Sequence, residues 1–467
     1  MPPPVPAGPV PAGWRLRPAA GLRVVRDGET LLGGSPLRML RLSARATTLV
    51  SGWLAGEPVG EDRDERALAR RLLDAGLANP DPPARPPDTI RDVTVVVPVY
   101  ADPERLRACL APLAGSASVI VVDDGSPDPD PIAAAAHAAG ARYVRHPENR
   151  GPSAARNTGI RHATTPLVAF LDADCVPAAG FPGRLLDHLA DPAVGLVAPR
   201  IASSERGRGP IAAYERTRSA LDMGPRPSLV RPYSTVWYVP SAAMLARREA
   251  LSAGFDEGLA LGEDVDLVWR LHDAGWQVRY DPAVVVTHED RVRPVAWLRR
   301  RIAYNESVAP LLTRHPDRVP VLFFSPVAAF AWGAALGGLT TPVVLLTALR
   351  AMRLRRALRD RLPGSGPWAV RVALETTANE ARDLARALAG PWAPIAPLTE
   401  RRRLALLLAA MVARDWLADR PALDPFRYGA LRLADEATRG VGIWLGCARA
   451  RDFKALLPRR PPPASRR

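Results

Sequence analysis

Short apolar runs alternate with helical patterns between residue 93 and about residue 286, and this alternation constrains the fold more than any other feature. The apolar runs occupy residues 93–97, 118–122, 143–145 and 167–171. The helical patterns between them occupy residues 103–113, 130–139 and 153–163. This order predicts right-handed βαβ units and a mostly parallel, Rossmann-like sheet that is buried on both faces. The predicted fold class is therefore α/β.

Acidic side chains follow two of the predicted strands. Asp123 and Asp124 end the second strand, where ligands bind in an open α/β sheet, and could accept hydrogen bonds from a base or ribose. A simple turn with an Asx cap would explain the same residues. Asp172 and Asp174 follow the fourth strand and lie on the same side of an extended segment. Such a pair suits a hard divalent ion whose other ligands include a diphosphate.

The segment between these acids carries two arginines. Gly151-Pro152-Ser153 is a favourable helix start, and a helix N-terminus attracts anions. Arg150 and Arg156 could add charge-assisted contacts to phosphate or base. The alternative is a pair of surface arginines on a helix.

Two later residues complete the candidate chemistry. Asp264, near the start of an amphipathic helix, is the candidate general base for an acceptor hydroxyl, although acids at helix starts also act as caps. Glu263 or Asp266 would then be supporting or structural. His288 ends another apolar strand, and either metal binding or a local hydrogen bond would explain it.

The remaining regions divide into three parts. Residues 14–80 predict a small winged-helix-like domain of two strands followed by two or three helices, with a hairpin at Arg26-Asp27-Gly28. The Pro-rich residues 81–91 predict a stiff linker. The α/β domain would then occupy residues 92–290, and residues 291–467 a helical C-terminal region.

One apolar stretch in that C-terminal region suggests a membrane. Residues 319–349 contain no Asp, Glu, Lys, Arg or His, and Gly337-Gly338 interrupts them. Arginines flank both ends, which predicts that both ends are cytoplasmic. A re-entrant or interfacial helical hairpin at the cytoplasmic face of the plasma membrane is therefore expected. A buried helical pair is the alternative.

Composition adds little about partners. The formal net charge is +15 and Lys454 is the only lysine, a bias typical of a GC-rich bacterial coding sequence. No recognition module supports nucleic acid as a partner. The three cysteines are odd in number and scattered, which predicts a reducing cytosol.

The order of the motifs resembles glycosyltransferase family 2, whose nucleotide-binding fold is termed GT-A. The residues that carry this resemblance are Pro98-Val99-Tyr100, Asp123-Asp124-Gly125-Ser126, Asp172-Ala173-Asp174 and Glu263-Asp264. The Gln-x-x-Arg-Trp motif of processive members is missing, which disfavours polymer synthesis.

The resemblance implies a role for each matched residue. The nucleoside would be held by Pro98, Tyr100 and Asp123 or Asp124, with Arg150 near the base. Mg²⁺ or Mn²⁺ would be bound by Asp172 and Asp174, and in some branches by a later histidine, for which His288 fits. Asp264 would be the base.

Within that family, the architecture is similar to enzymes that add glucose units to a peptide-derived redox cofactor. The N-terminal domain resembles the peptide-chaperone domains of such pathways, which implies a peptide contact through residues 14–80. The implied donor is a nucleotide sugar such as UDP-glucose. A lipid-linked or cell-envelope glycan is the alternative acceptor, and a non-catalytic membrane adaptor is a second alternative.

Overall fold

The computed structural model describes residues 8–84, 87–113, 115, 118–290, 292–316, 318, 325–359, 364–395 and 401–459. By their internal contacts, the residues form two compact units. The first comprises residues 1–205 and 218–290, and the second comprises residues 206–217 and 291–467.

The first unit begins with a small α/β module. Its elements are β1 (Arg15–Pro18), β2 (Arg23–Val25), β3 (Thr30–Gly33), β4 (Arg38–Arg41), α1 (Ala44–Leu54), α2 (Arg63–Asp74) and β5 (Ala78–Asp81). Strands β2, β3 and β4 form one antiparallel sheet, and β1 pairs with β5. Trp14, Leu31 and Trp53 lie in its apolar core. The sequence predicted the hairpin formed by β2 and β3 but not β1, β4 or β5, which are short and rich in charged residues or proline.

The sheet domain follows the module. Its elements are β6 (Val93–Val99), α3 (Pro103–Leu110), β7 (Ser118–Asp123), α4 (Asp130–Ala138), β8 (Arg142–Arg145), α5 (Pro152–His162), β9 (Leu167–Leu171), β10 (Cys175–Pro177), α6 (Leu185–His188), β11 (Val194–Ser203), α7 (Pro210–Arg218), β12 (Ser228–Val230), β13 (Ala243–Arg247), α8 (Glu263–Asp273) and β14 (Gln277–His288). These elements belong to the first unit, apart from α7, of which all but the last residue clusters with the second unit.

Nine strands of the described residues form one mixed sheet. Its order is β10-β14-β11-β13-β9-β6-β7-β8, with β12 paired to β14. Strands β9, β6, β7 and β8 are parallel, as the βαβ pattern predicts, and β11 is parallel to β14. Antiparallel β13 lies between these two parallel groups. As a result, the carboxyl end of β9 lies beside the start of β13.

Close packing fixes α5 against the sheet. A Cβ atom at Gly159 would overlap the side chain of Val96 on β6, so only glycine permits this approach. Arg156 lies almost one helical turn earlier on the same helix and is buried. The position of its guanidinium is therefore set by the contact between α5 and β6.

Buried polar contacts join the module to the sheet domain within the first unit. Arg70 on α2 donates to Asp191 at 2.6 Å, and both side chains are almost fully buried. Gln277 on β14 donates to Asp74 at 2.6 Å. Arg231 donates to the backbone carbonyls of Ser35 and Asp74. These contacts make the module part of the unit that carries the sheet.

The second unit is helical. After α7 its helices are α9 (Pro294–Glu306), α10 (Val308–Arg314), α11 (Pro326–Leu336), α12 (Thr341–Leu358), α13 (Gly366–Ala389), α14 (Arg401–Asp419) and α15 (Pro425–Ala450). Helices α13, α14 and α15 share a buried ion network, in which Arg432 binds Asp415 at 2.9 Å and Glu436 at 2.6 Å. Arg386 also binds Glu436 at 2.6 Å.

The predicted apolar hairpin corresponds to α11 and α12, although residues 319–324 lie outside the described residues. Phe330, Val344 and Leu345 are exposed on these helices. Among the helices of the described residues, none has both the length and the apolarity that crossing a bilayer requires.

Candidate active site

The ends of four strands bring the candidate residues into one region. Ala243 at the start of β13 pairs with Leu171 at the end of β9, and the Asp172 amide donates to the Ala242 carbonyl at 2.9 Å. His288 at the end of β14 pairs with Cys175 on β10. The segment that carries Asp172 and Asp174 therefore lies between the start of β13 and the end of β14.

A buried arginine connects this segment to α8. Arg156 Nη2 donates to Asp172 Oδ1 at 2.6 Å, and Arg156 Nη1 donates to Glu263 Oε1 at 2.9 Å. Burial alone would lower the pKa of Arg156, but the carboxylates of Asp172 and Glu263 outweigh it and raise that pKa. Arg156 thus fixes the relative positions of two acids, and its predicted contact with phosphate or base stays a prediction.

Asp264 lies beside this ion pair at the start of α8. Its carboxylate accepts from the Val265 amide at 2.8 Å and from the Ser241 amide at 3.4 Å. Burial and the neighbouring Glu263 carboxylate raise the pKa of Asp264 to about 7. The side chain is only half-buried. A partly accessible carboxylate whose pKa is near neutral is suited to take a proton from a hydroxyl.

Glu263 has a positioning role in this arrangement. It is buried, binds Arg156 and accepts a hydrogen bond from Ser241 Oγ at 3.0 Å. Because Ser241 also donates its backbone amide to Asp264, the contacts of Glu263 and Asp264 are linked. The sequence predicts a supporting or structural role for Glu263 and does not single out Ser241, which belongs to no motif.

Asp174 and His288 approach each other at the edge of the same region. His288 Nε2 lies 3.5 Å from Asp174 Oδ2, and His288 Nδ1 lies 3.1 Å from Asp290 Oδ1. Burial would lower the pKa of His288, but Asp174 and Asp290 raise it to about 10. A carboxylate on the second ring nitrogen is the usual arrangement for a histidine that binds a metal.

The protein donors are too few to enclose a metal. Within the described parts of the chain, no group of three or more His, Cys, Asp or Glu residues is arranged so that it could hold a metal ion. Burial, together with the charges of Asp172 and Asp174, raises the pKa of Cys109 and of Cys175. These surroundings favour the neutral form of both thiols. Of the three candidate ligands, Asp174 and His288 approach each other, whereas Asp172 Oδ1 is bound by Arg156. A divalent ion here would need further oxygen ligands from a bound molecule, as Mg²⁺ commonly does.

Asp124 at the end of β7 organises the loop before α5. Its carboxylate accepts from the Arg150 amide at 3.0 Å and the Gly151 amide at 2.7 Å, and it lies 2.8 Å from His146 Nδ1. A Cβ atom at residue 125, where φ is +75°, would overlap the backbone of Glu148. This close approach allows the Asp124 carboxylate to reach the loop amides.

Asp123 has protein partners as well. It accepts from the Ser126 amide at 2.9 Å and from the Tyr143 hydroxyl at 2.6 Å, and its side chain is fully buried. Tyr100, after β6, is 51% exposed. Direct contacts of Asp123, Asp124, Pro98 and Tyr100 with a nucleoside therefore stay predictions, whereas the contacts of the two acids within the protein are observed.

Arg150 lies at the rim of this region. Arg150 Nη2 donates to Glu257 Oε2 at 3.0 Å, and Asn157 Nδ2 donates to Glu257 Oε1 at 2.9 Å. Asn157 also exchanges hydrogen bonds with the backbone of Phe255. Sequence reasoning overlooked Asn157 and Glu257, although Asn157 directly follows Arg156 in the segment that it singled out.

Comparison with known proteins gives one family. The model of Glycosyl transferase family 2 matches residues 94–255. The Pre-mycofactocin glycosyltransferase of Mycobacterium tuberculosis (strain ATCC 25618 / H37Rv) is 41% identical over 471 residues, which cover 96% of this chain and 98% of that protein. The Glycosyltransferase AglE of Haloferax volcanii is 27% identical over 214 residues, covering 44% of this chain and 68% of that protein.

Among solved structures, the mannosyltransferase PcManGT from Pyrobaculum calidifontis, in complex with GDP-Man and Mn²⁺, is similar with a TM-score of 0.43. It is 20% identical, and the similarity covers 78% of this chain and 90% of that chain.

Proposed function

Because the chain belongs to glycosyl transferase family 2, we propose that it transfers a hexose from a nucleotide sugar to the peptide-derived redox cofactor mycofactocin or its precursor. It is a family 2 glycosyltransferase with an α/β core of the GT-A type. One observation carries the proposed acceptor: 41% identity to the mycobacterial relative extends over the N-terminal module, the sheet domain and the helical unit. The proposed donor is UDP-glucose.

The proposed reaction is a single in-line displacement that inverts the anomeric centre. The acceptor oxygen forms a bond to the anomeric carbon while the bond from that carbon to the diphosphate oxygen breaks. Asp264 takes the acceptor proton, which its position and raised pKa support. Arg156 and Glu263 hold Asp172 and α8 in place during this step.

The proposed metal site consists of Asp172, Asp174 and His288. The proximity of Asp174 to His288, and the contact of His288 with Asp290, support it. A bound Mg²⁺ or Mn²⁺ would supply positive charge against the leaving diphosphate. Calorimetry with donor and Mn²⁺ tests this site: binding should weaken in Asp174→Ala and persist in Asp273→Ala. Wild-type affinity in Asp174→Ala would exclude Asp174.

The nucleoside would lie along the ends of β6 and β7. In this proposal Pro98 and Tyr100 contact the base and ribose, with Arg150 at the rim. Asp123 and Asp124 act mainly by shaping the loop that reaches Gly151, which their protein contacts support. The exposure of Tyr100 leaves its ring available for stacking.

Mass spectrometry of candidate acceptors is the decisive experiment. The purified protein would be incubated with mycofactocin precursors and with several nucleotide sugars in turn. We expect a mass gain of one or more hexosyl residues with UDP-glucose. The Asp264→Asn variant should give no product, and the matched Asp273→Asn variant should give the wild-type amount. Transfer of hexose only to other acceptors would reject mycofactocin as the substrate.

The exposed apolar side chains of α11 and α12 favour a second candidate acceptor, a lipid-linked or cell-envelope glycan. Phe330, Val344 and Leu345 are exposed, and arginines follow on α12. Exposed apolar groups beside basic residues are typical of helices that lie on a membrane surface. Flotation with anionic liposomes tests this attachment, and it should weaken when Phe330 and Leu345 are both changed to Ser. Recovery of the wild-type protein in the liposome-free fraction would reject the attachment.

A further inference from the structure

A cavity of about 270 Å³ lies in the first unit, where the N-terminal module meets the sheet domain. We call it the arginine cavity, and its polar lining includes Arg17, Asn79, Arg184, His188, Arg279 and Asp281. Arg17 and Asn79 come from β1 and β5 of the module, whereas Arg279 and Asp281 come from β14. Both parts of the unit are therefore needed to form it.

The arginine cavity is remote from the candidate active site. Arg279 lies near the start of β14 and His288 lies at its end. Their partners on β11, Val197 and Ser203, are six residues apart, and a strand rises about 3.3 Å per residue, so Arg279 and His288 are separated by roughly 20 Å. A ligand in the cavity would not contact Asp174 or Asp264 unless it were long.

Arg279 is a buried cation with unused hydrogen-bond donors. Its Nη2 donates to Gln277 Oε1 at 2.8 Å, but its Nε and Nη1 have no hydrogen-bond partner in the described part of the chain. Burial lowers the pKa of Arg279 to about 10, which still leaves the guanidinium charged at neutral pH. An unsatisfied buried donor destabilises the folded protein. Such a cost is unusual in a site that holds no ligand.

His188 is a second buried polar side chain in the lining of the same cavity. His188 Nε2 lies 2.8 Å from Asp281 Oδ2, while His188 Nδ1 is buried and has no partner among the described residues. Arg184 bridges Asp281 at 3.2 Å and Asp81 at 2.6 Å, and Arg17 also binds Asp81. These ion pairs hold the polar wall in place and leave Arg279 without an acid on its Nε and Nη1.

The charge balance favours a ligand with a single negative charge. Arg17 and Arg184 pair with Asp81 and Asp281, and the charges that act on Arg279 are those of Asp191, Asp74, Arg70 and Arg231. Five arginines thus face four carboxylates, which leaves one positive charge when His188 is counted as neutral. A diphosphate would bring excess negative charge close to Asp281. A carboxylate would match the charge of the cavity.

The other walls are apolar, formed by Pro80, Pro225, Pro227, Pro282 and Tyr280. We propose that the arginine cavity binds the carboxylate of a compact organic acid, such as the free carboxyl end of a short peptide. The carboxylate accepts hydrogen bonds from Arg279, and the apolar part of the acid packs on the prolines and Tyr280. A volume of about 270 Å³ is small for a ligand pocket and admits one or two amino-acid residues.

Calorimetry tests this proposal without donor or metal, so its outcome is independent of transferase activity. A panel of N-acetylated amino acids and dipeptides would be titrated into the full-length protein, each as the free acid and as the C-terminal amide, beside inorganic phosphate. We expect at least one acid to bind and its amide to bind about tenfold to a hundredfold more weakly, because hydrogen bonds to charged groups contribute about 1.5–3 kcal/mol.

The variants assign the binding to Arg279. Arg279→Met should weaken the acid to the level of the amide, and the exposed control Arg371→Ala should leave its affinity unchanged. If Arg279→Met does not fold, Arg184→Gln, whose side chain is part-exposed, serves instead and should also weaken binding of the acid. The proposal is overturned if no acid of the panel binds, if acid and amide bind equally, if phosphate binds more tightly than every acid, or if the variants bind as the wild type does.

Discussion

Arg156 and Arg279, two of the buried arginines of the first unit, differ in how their charges are compensated. Arg156 is 3% exposed and lies between Asp172 and Glu263, so its pKa is raised. Arg279 is 2% exposed but leaves two donors unused, and its pKa is lowered. The two side chains are almost equally buried, but their pKa values are shifted in opposite directions. The hydrogen-bond partners of a buried charged group, rather than its burial, therefore indicate whether the group could bind a ligand.

The largest effect should come from the acids that surround Arg156. Asp264→Asn should lower kcat by about 10²–10⁴, because the acceptor hydroxyl loses its base. Donor affinity should persist, since no donor contact is assigned to Asp264. Initial rates and donor titration measure both quantities. Asp273→Asn, an exposed change on the same helix, is the control, and equal turnover in the two variants would remove Asp264 from the mechanism.

Substitutions of Arg156 and Arg279 should change the free energy of unfolding by different amounts. Arg156→Met should lower the free energy of unfolding by about 3–5 kcal/mol, because it leaves Asp172 and Glu263 without their shared cation in a buried setting. Urea denaturation followed by circular dichroism measures the change. A loss below about 1 kcal/mol would mean that the ion pairs of Arg156 are not important for folding.

The pH dependence of the reaction tests the environment of Asp264. Its pKa is raised to about 7, so the base is protonated in acid, and kcat/KM should fall roughly tenfold per pH unit below that value. The rate should level off above pH 8. Rates between pH 5 and pH 9 would show this, and a flat profile down to pH 5 would contradict the raised pKa.

The raised pKa of Asp264 also predicts how the free energy of unfolding changes with pH. The pKa of Asp264 is higher in the folded state than its ordinary value of 3.8, so folding favours the protonated form. The resulting stability is complete below about pH 4 and is lost as the pH rises through about 7. Asp264→Asn, which cannot ionise, should therefore exceed the wild type in stability at pH 8 more than at pH 4.

The smallest effect is expected at Arg279. Arg279→Met should change the free energy of unfolding by less than about 1 kcal/mol, or stabilise the protein, because replacing a poorly paired buried charge with an apolar side chain is often neutral or favourable. The same denaturation series measures it beside Arg156→Met. A loss as large as that of Arg156→Met would show that Arg279 is well compensated, and the comparison would fail.

Much of the sheet domain could be predicted from the sequence, and for a clear reason. Buried parallel strands consist mostly of apolar residues, and β6, β7 and β9 all lie where the apolar runs of the sequence predict strands. Residues directly after such strands gather at one edge of a sheet, which is why Asp124 and Asp172 could be singled out. The antiparallel strand β13 was not predicted, because it interrupts the βαβ rhythm and is reached through a long connection.

The partners of the candidate residues could not be predicted in the same way. Glu263 binds Arg156 across 107 positions of the chain, and Ser241 lies in no motif. The arginine cavity is more extreme, since Arg17, Arg184 and Arg279 come from three distant segments. A local signal in the sequence is the pair of charged residues Arg279 and Asp281, which flank Tyr280 in the buried part of β14.

The hydrogen bonds that the amides of Arg150 and Gly151 donate to Asp124 have a consequence for how favourably a donor can bind. Ordering a loop at the moment of association costs conformational entropy and reduces affinity. Here the loop before α5 takes its shape during folding, from a carboxylate that sits beneath it. In the proposed binding mode, the incoming nucleotide therefore meets a loop that is already ordered, and most of the conformational freedom lost on binding is that of the nucleotide.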